Sequence, residues 1–272
     1  MSEGEELRGY VEIWWQAIDD LTALLEEIPE ESWGLPTDLP GWTVHDVAAH
    51  TAHLENLVAG GTHDDVEIGE PEHARGLMGR FTEQGVVARR DRSSDELINE
   101  IRASATARNT TLLAHQPEDG SAPAPGLFGA IGWTVRTLLR NRPLDVWMHE
   151  QDVRRAVGRP GNLDSPAAGH ATSYLAESLG FVLAKKAQAP AGTTVVLELD
   201  GHPEVAATVG EDGRGQLLTE VPAEGVDATI RCDRESFLLL AGGRRQPEPG
   251  RVQIEGDAEL GQRVLAALAV TP

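Results

Sequence analysis

Residues 188–200, "QAPAGTTVVLELD", decide the fold. Upstream of this stretch, apolar residues recur every three or four positions, the period of an amphipathic helix. From Thr193 onward they arrive instead in short β-branched runs broken by glycine, aspartate and proline. Pro190 and Gly192 punctuate the change. The pattern predicts an α+β protein of two domains, an all-helical one over residues 1–189 and a smaller α+β one over 190–272.

Toward the C-terminus, "TTVVLELD", "EVAATV", "GQLLTEV" and "DATIRCD" read as strands of a meandering antiparallel sheet. "RESFLLLAGG" reads as a short helix ended by glycine, "RVQIEGD" as a further strand and "AELGQRVLAAL" as a closing helix. Toward the N-terminus, Leu7, Val11, Trp14, Trp15, Ile18, Leu21 and Leu25 mark a first helix. Thr43 is a good N-cap for a second, with Asp46 in its first turn. Residues 71–90 form a weaker helical stretch interrupted by Gly76, Gly79 and Gly85. Ser93 or Ser94, followed by Glu96, caps a helix that runs to about residue 115. Residues 133–157 are helical in pattern but contain Pro143, which predicts a kink or a fresh helix starting there. One more helix is expected over 165–187.

The 272 residues carry a formal net charge of −21. Nucleic acids and anionic membranes are bound mainly through clustered positive charge, so neither is expected as a partner. The N-terminal residues lack the basic and apolar regions of a secretory signal, and no run approaches the ~20 apolar residues that span a bilayer. A cytoplasmic location is expected. Cys232 is the only cysteine, which excludes an internal disulfide and a thiolate metal cluster.

Three of the nine histidines fall within residues 38–57, "DLPGWTVHDVAAHTAHLENL". On a wheel of ~100° per residue, His50 shares the inward face with Val47, Leu54 and Leu57. His45 points outward, and His53 falls at the edge of the buried face. A second segment, "RPLDVWMHEQDVRRA", places Asp145 and His149 four residues apart on one helical face, with Asp152 one turn on. Taken singly, an inward histidine is most simply a hydrogen-bonded core residue, and an i, i+4 Asp/His pair a surface ion pair. Together, two imidazoles and a carboxylate suit a tetrahedral zinc or similar divalent ion with one position left open, the catalytic arrangement.

"LPGWTVHDVAAH", followed about a hundred residues later by "RPLDVWMHEQDVRRAVGRPG", resembles the mycothiol-dependent maleylpyruvate isomerase family. The resemblance implies a DinB-like four-helix bundle as the N-terminal domain. It implies a sterol-carrier-like domain over 190–272, which ends in "VQIEGDAELGQRVLAAL". It places the metal ligands on His50, Asp145 and His149. The founding isomerase pattern has glutamate where this chain has Asp145, so a carboxylate is kept on a shorter stem. The resemblance also implicates a C-terminal arginine in activity, for which Arg231, Arg244 and Arg245 are the candidates, Arg244 and Arg231 foremost. Arg142 and Arg154, which flank the second motif with Arg155, are the candidates for holding the thiol cofactor or a carboxylated substrate.

The family draws its reactive sulfur from mycothiol, an external small-molecule thiol, and the solitary Cys232 agrees with that. A divalent metal lowers the pKa of a bound thiol and holds the thiolate beside its electrophile. The expected activity is metal- and mycothiol-dependent cis–trans isomerisation of a maleylpyruvate-like substrate, or S-transfer to another electrophile. Two alternatives stand beside it. One is a lipid- or hydrophobic-ligand-binding protein with a structural metal; the other is a metal hydrolase that uses water in place of the thiol.

Overall fold

The computed structural model describes residues 2–271. They form two compact units divided between Asn162 and Leu163, so the division falls upstream of the expected residue 190. The shift has a simple cause. The helix expected over 165–187 belongs with the residues that follow it, its first part packing against the helix over Arg234–Ala241.

The first unit is built on four long helices: α1 (Glu3–Glu26), α2 (Val44–Val58), α4 (Ser94–Ala114) and α6 (Val135–Ala156). The shorter α3 (Gly76–Val87) and α5 (Gly126–Ala130) join them. Ser2/Glu5, Thr43/Asp46 and Ser93/Glu96 are capping boxes, in which each hydroxyl and each carboxylate takes an otherwise unpaired backbone N–H. Helix α1 packs on α6 and α4, and α2 on α4, α3 and α6. Leu7, Trp14, Ile18, Leu21 and Leu25 of α1 are buried there with Leu97 and Ile101 of α4 and Trp147 of α6.

Helix α6 runs through Pro143 without a fresh start. Proline leaves the Leu139 carbonyl without its usual donor, yet Leu139, Pro143, Leu144 and Trp147 are all buried, and packing outweighs the missing bond. Beyond α6 the chain doubles back along it. Trp147 Nε1 donates to the Asn162 carbonyl at 3.1 Å, Gln151 Nε2 to the Gly161 carbonyl at 3.1 Å, and Arg154 Nη1 to the Arg159 carbonyl at 3.3 Å. The Asn162 side chain closes the run with a 2.8 Å bond to Glu150.

In the second unit the expected helix over 165–187 is divided. Helix α7 (Pro166–Ala176) is followed by a single turn, α8 (Leu179–Phe181), and a π-helical turn over Val182–Lys186. At this break Gly180 meets Gly215 so closely that a Cβ at Gly215 would stand 1.7 Å from the Gly180 carbonyl oxygen. The strands are β1 (Thr194–Leu199), β2 (Val205–Val209), β3 (Gly215–Leu217), β4 (Ala228–Cys232) and β5 (Val252–Gly256). Helix α9 (Arg234–Ala241) links β4 to β5, and α10 (Ala258–Ala267) follows. The sheet order is β3-β2-β1-β4-β5, with β1 and β4 parallel and the other pairs antiparallel. It is therefore a mixed sheet rather than the expected meander. Val195, Val196 and Leu197 are buried on both faces, which is what a central strand with a parallel neighbour requires.

Candidate metal centre

The Thr43 cap fixes where α2 begins and hence the phase of everything on it. That phase turns His50 inward, 4 % exposed, beside the fully buried Val47. Helix α6 presents Asp145 and His149 one turn apart. His50 Nε2 lies 3.8 Å from Asp145 Oδ2, His149 Nε2 lies 3.7 Å from Asp145 Oδ1, and the two imidazole centroids are 4.7 Å apart. One donor atom from each of the three residues falls within 4.8 Å of the others. Both imidazoles are buried, whereas the Asp145 side chain keeps 23 % exposure, so the cluster opens to solvent on its carboxylate side.

Two of the donors, His149 and Asp145, are held from behind. His149 Nδ1 is 3.2 Å from Oδ2 of the fully buried Asp152. Arg155 donates to Asp152 Oδ1 at 2.5 Å and to Asp38 at 2.7 Å. A proton on Nδ1 shared with Asp152 leaves the Nε2 lone pair directed at the cluster. Arg142 donates from Nη1 to Asp145 Oδ2 at 2.9 Å. Burial alone would raise the Asp145 pKa, but Arg142 and His149 outweigh it and hold the carboxyl well below the usual carboxylate range. Burial pushes the His50 imidazole downward, toward the neutral form that can ligate.

The donor set fits a divalent cation. In a loaded tetrahedral site, bonds near 2.0–2.1 Å put neighbouring donors about 3.3 Å apart; each imidazole here stands 3.7–3.8 Å from an Asp145 oxygen and the three donors lie within 4.8 Å, so loading would draw them inward. His50 Nδ1 is buried with no hydrogen-bond partner, and Nε2 stands too far from Asp145 for a hydrogen bond. A cation in the cluster would engage Nε2, the nitrogen that faces Asp145.

Trp42 forms one wall, its ring centroid 4.9 Å from that of His50 and 6.2 Å from that of His149. Its indole N–H donates to Glu83 Oε2 of α3 at 2.9 Å, and His73 meets the same oxygen at 3.0 Å. Gly41 supplies the turn into Trp42 at φ +81°, where a Cβ would fall 2.3 Å from His73 Nδ1.

The other expected site residues take different places. His45 is half-buried and meets the Arg92 carbonyl at 2.8 Å. His53, expected at the edge of the buried face, is wholly buried against Gly85, because α3 covers the side of α2 that the wheel leaves open. Arg142 is 1 % exposed and bound to both Glu55 and Asp145, so it supports the cluster from beneath instead of facing a ligand. Arg154 pairs with Glu150 at 2.6 Å. Arg231 lies on β4, paired with Glu198 and Glu255. Arg244 donates to the Gly242 carbonyl at 2.7 Å, and with Arg245 it lines a cavity of about 200 Å³ walled by Leu239, Leu240 and Leu265. Trp42, Glu83, Glu55 and Arg108 are not assigned from the sequence. The available signal is a charged residue on an apolar stripe: Arg108 falls in register with Leu97, Ile101 and Ala105.

Comparison with known proteins adds to this geometry. The mycothiol maleylpyruvate isomerase N-terminal domain matches residues 14–154, and the MDMPI C-terminal domain matches residues 170–263. The chain belongs to this isomerase family. Its fold matches crystal structures of the mycothiol-dependent maleylpyruvate isomerase and of a histidine-to-alanine mutant of that enzyme. Each match has a TM-score of 0.55 at 17% identity, over 94% of this chain and 96% of the other. Two uncharacterized proteins of Mycobacterium tuberculosis, from strains CDC 1551 / Oshkosh and ATCC 25618 / H37Rv, are each 26% identical over 141 residues. Each alignment covers 52% of this chain and 53% of the relative, so the match spans about half the length of those curated relatives. No helix among the described residues is long and apolar enough to cross a membrane.

Proposed function

We propose that the protein is a metal-dependent enzyme that uses mycothiol to isomerise a maleylpyruvate-like substrate about its double bond, with S-transfer to an electrophile as the related outcome. The observation that carries this reading is the convergence of His50, Asp145 and His149, open on the Asp145 side, in a family whose solved member is described as mycothiol-dependent. Cys232 supports it from the opposite direction. Burial, with Asp233 and Asp200 nearby, pushes its thiol up to about 12, so the chain's own sulfur is a poor nucleophile.

His50, Asp145 and His149 would hold the ion, most simply zinc. Bound there, the ion lowers the pKa of a small-molecule thiol so that the thiolate is available at neutral pH. The chain's own residues supply orientation. Asp152 would accept the hydrogen bond from Nδ1–H of His149 and so orient Nε2 toward the cluster, while Arg142 donates to one oxygen of Asp145. Trp42 walls the cluster beside both imidazoles and keeps water from that side. Arg244 and Arg231 remain the candidates for a substrate carboxylate.

The test combines elemental analysis of chelator-free protein with turnover assays in the presence and absence of mycothiol. About one ion per chain, lost in His50→Ala and His149→Ala, together with thiol-dependent turnover, is the expected result. Turnover of an ester or amide without thiol would replace the isomerase with a hydrolase. Metal content unchanged in both histidine variants would remove the site.

A further inference from the structure

From Asp145 downward, four side chains of alternating charge form a line, the three beneath it buried. Asp145 Oδ2 accepts from Arg142 Nη1 at 2.9 Å. Arg142 turns both Nη2 and Nε onto the same oxygen of Glu55, Oε1, at 2.7 Å and 3.1 Å. The second oxygen of Glu55 faces Arg108 Nη1 at 3.8 Å, beyond hydrogen-bond reach, and neither of these two atoms has another hydrogen-bond partner. Arg108 ends the line with its guanidinium 4.4 Å above the Trp14 ring. Glu55 is 0 % exposed, Arg142 1 % and Arg108 5 %.

Buried charges are costly, and an apolar core of the same volume would serve stability as well or better. The order of the charges points to another use. Arg142 can be drawn toward Asp145 or toward Glu55, and each gains what the other loses. Glu55 is itself shared with Arg108. Burial pushes the Arg108 pKa down to about 10 even with Glu55 beside it, so this end of the line is incompletely compensated.

We infer that Glu55 and Arg108 are positioning residues which set, through Arg142, how much negative charge Asp145 presents to a bound divalent cation. Glu55 draws Arg142 back from Asp145 and so strengthens the ligand. Arg108 draws on Glu55 and so weakens that pull. The inference rests on the metal reading above, and it makes a prediction of sign that packing alone does not. Removing charge at Glu55 should weaken metal binding, and removing it at Arg108 should strengthen it, although both substitutions disturb the same core.

The experiment measures zinc affinity of the full chain by competition with a chromophoric chelator, with thermal melting of the metal-free protein alongside. Glu55→Gln should lose about tenfold or more in affinity, the range seen when outer-shell partners of metal ligands are removed. Arg108→Met keeps the aliphatic stem over Trp14 and should gain about two- to fivefold, as one more distant charge would give. Both should melt lower without metal. Affinities within twofold of the parent in both variants, or a loss in both, would overturn the inference. If Glu55→Gln does not fold, Arg108→Met decides alone, and no gain in affinity overturns it. A parent protein that binds no zinc would instead sink the metal reading itself.

Discussion

His149 Nδ1 lies 3.2 Å from Oδ2 of Asp152, and that aspartate is wholly buried three residues along the same helix. Asp152 therefore fixes which imidazole nitrogen faces the cluster. Asp152→Asn should lower zinc affinity by about 10- to 100-fold. Chelator competition measures this directly. An unchanged affinity in a folded variant would show that the tautomer is set elsewhere.

Gly41 should be intolerant of a side chain. Its φ of +81° and the 2.3 Å approach of His73 to a Cβ make Gly41→Ala both strained and crowded. A stability loss of about 1–3 kcal/mol is expected from the left-handed backbone alone. Trp42 should also shift from its place over His50 and His149, changing the tryptophan emission. A variant with parental melting and emission would count against this account of the wall.

Acid sensitivity follows from His53, whose imidazole is pushed down to about 3 by burial first and by Arg89 next. Its folded-state value is depressed, so the stability it contributes is fully present above the unfolded value near 6.5. That contribution is lost as pH falls from there toward 3. One proton accounts for a slope of at most about 1.4 kcal/mol per pH unit. Chemical denaturation between pH 7 and 4 should show a shallower decline in His53→Gln than in the parent. Parallel curves would mean that other groups govern the acid limb.

Cys232 should be inert in the folded protein. With its thiol near 12, roughly one molecule in ten thousand carries the thiolate at pH 8. Reaction with a disulfide reagent should be slow until the protein unfolds, when the usual value near 8.5 returns. Cys232→Ala should keep its turnover and lose only about 1 kcal/mol of packing. Loss of turnover in a folded Cys232→Ala protein would show that the chain supplies its own sulfur.

Much of this was legible in the sequence because it is local. Thr43 with Asp46 and Ser93 with Glu96 announce helix starts through chemistry confined to four residues. The helical period then brings Asp145 and His149 to one face with no tertiary information. What the sequence hid depends on partners distant along the chain. The depth of His53 is set by α3, more than twenty residues on, and the parallel pairing of β1 with β4 crosses an intervening hairpin. Pro143 reads as a helix breaker until the packing of α6 is known. Arg142 stands in the sequence as a candidate for holding a ligand, because an arginine beside a motif does not reveal that Glu55, from another helix, lies beneath it.

The backward run of residues 157–162 along α6 bears on how the cluster would meet a cation. Helix ends ordinarily fray, and two of the three donors stand within a dozen residues of this one. Bonds from Trp147, Gln151 and Arg154 to the returning backbone splint that end, and the middle of these three lies two residues beyond His149. On the metal reading proposed above, Asp145 and His149 would thus be ordered before a cation arrives, so that association would not wait for this helix to form and the entropic cost of arranging these two donors would fall on folding, not on binding.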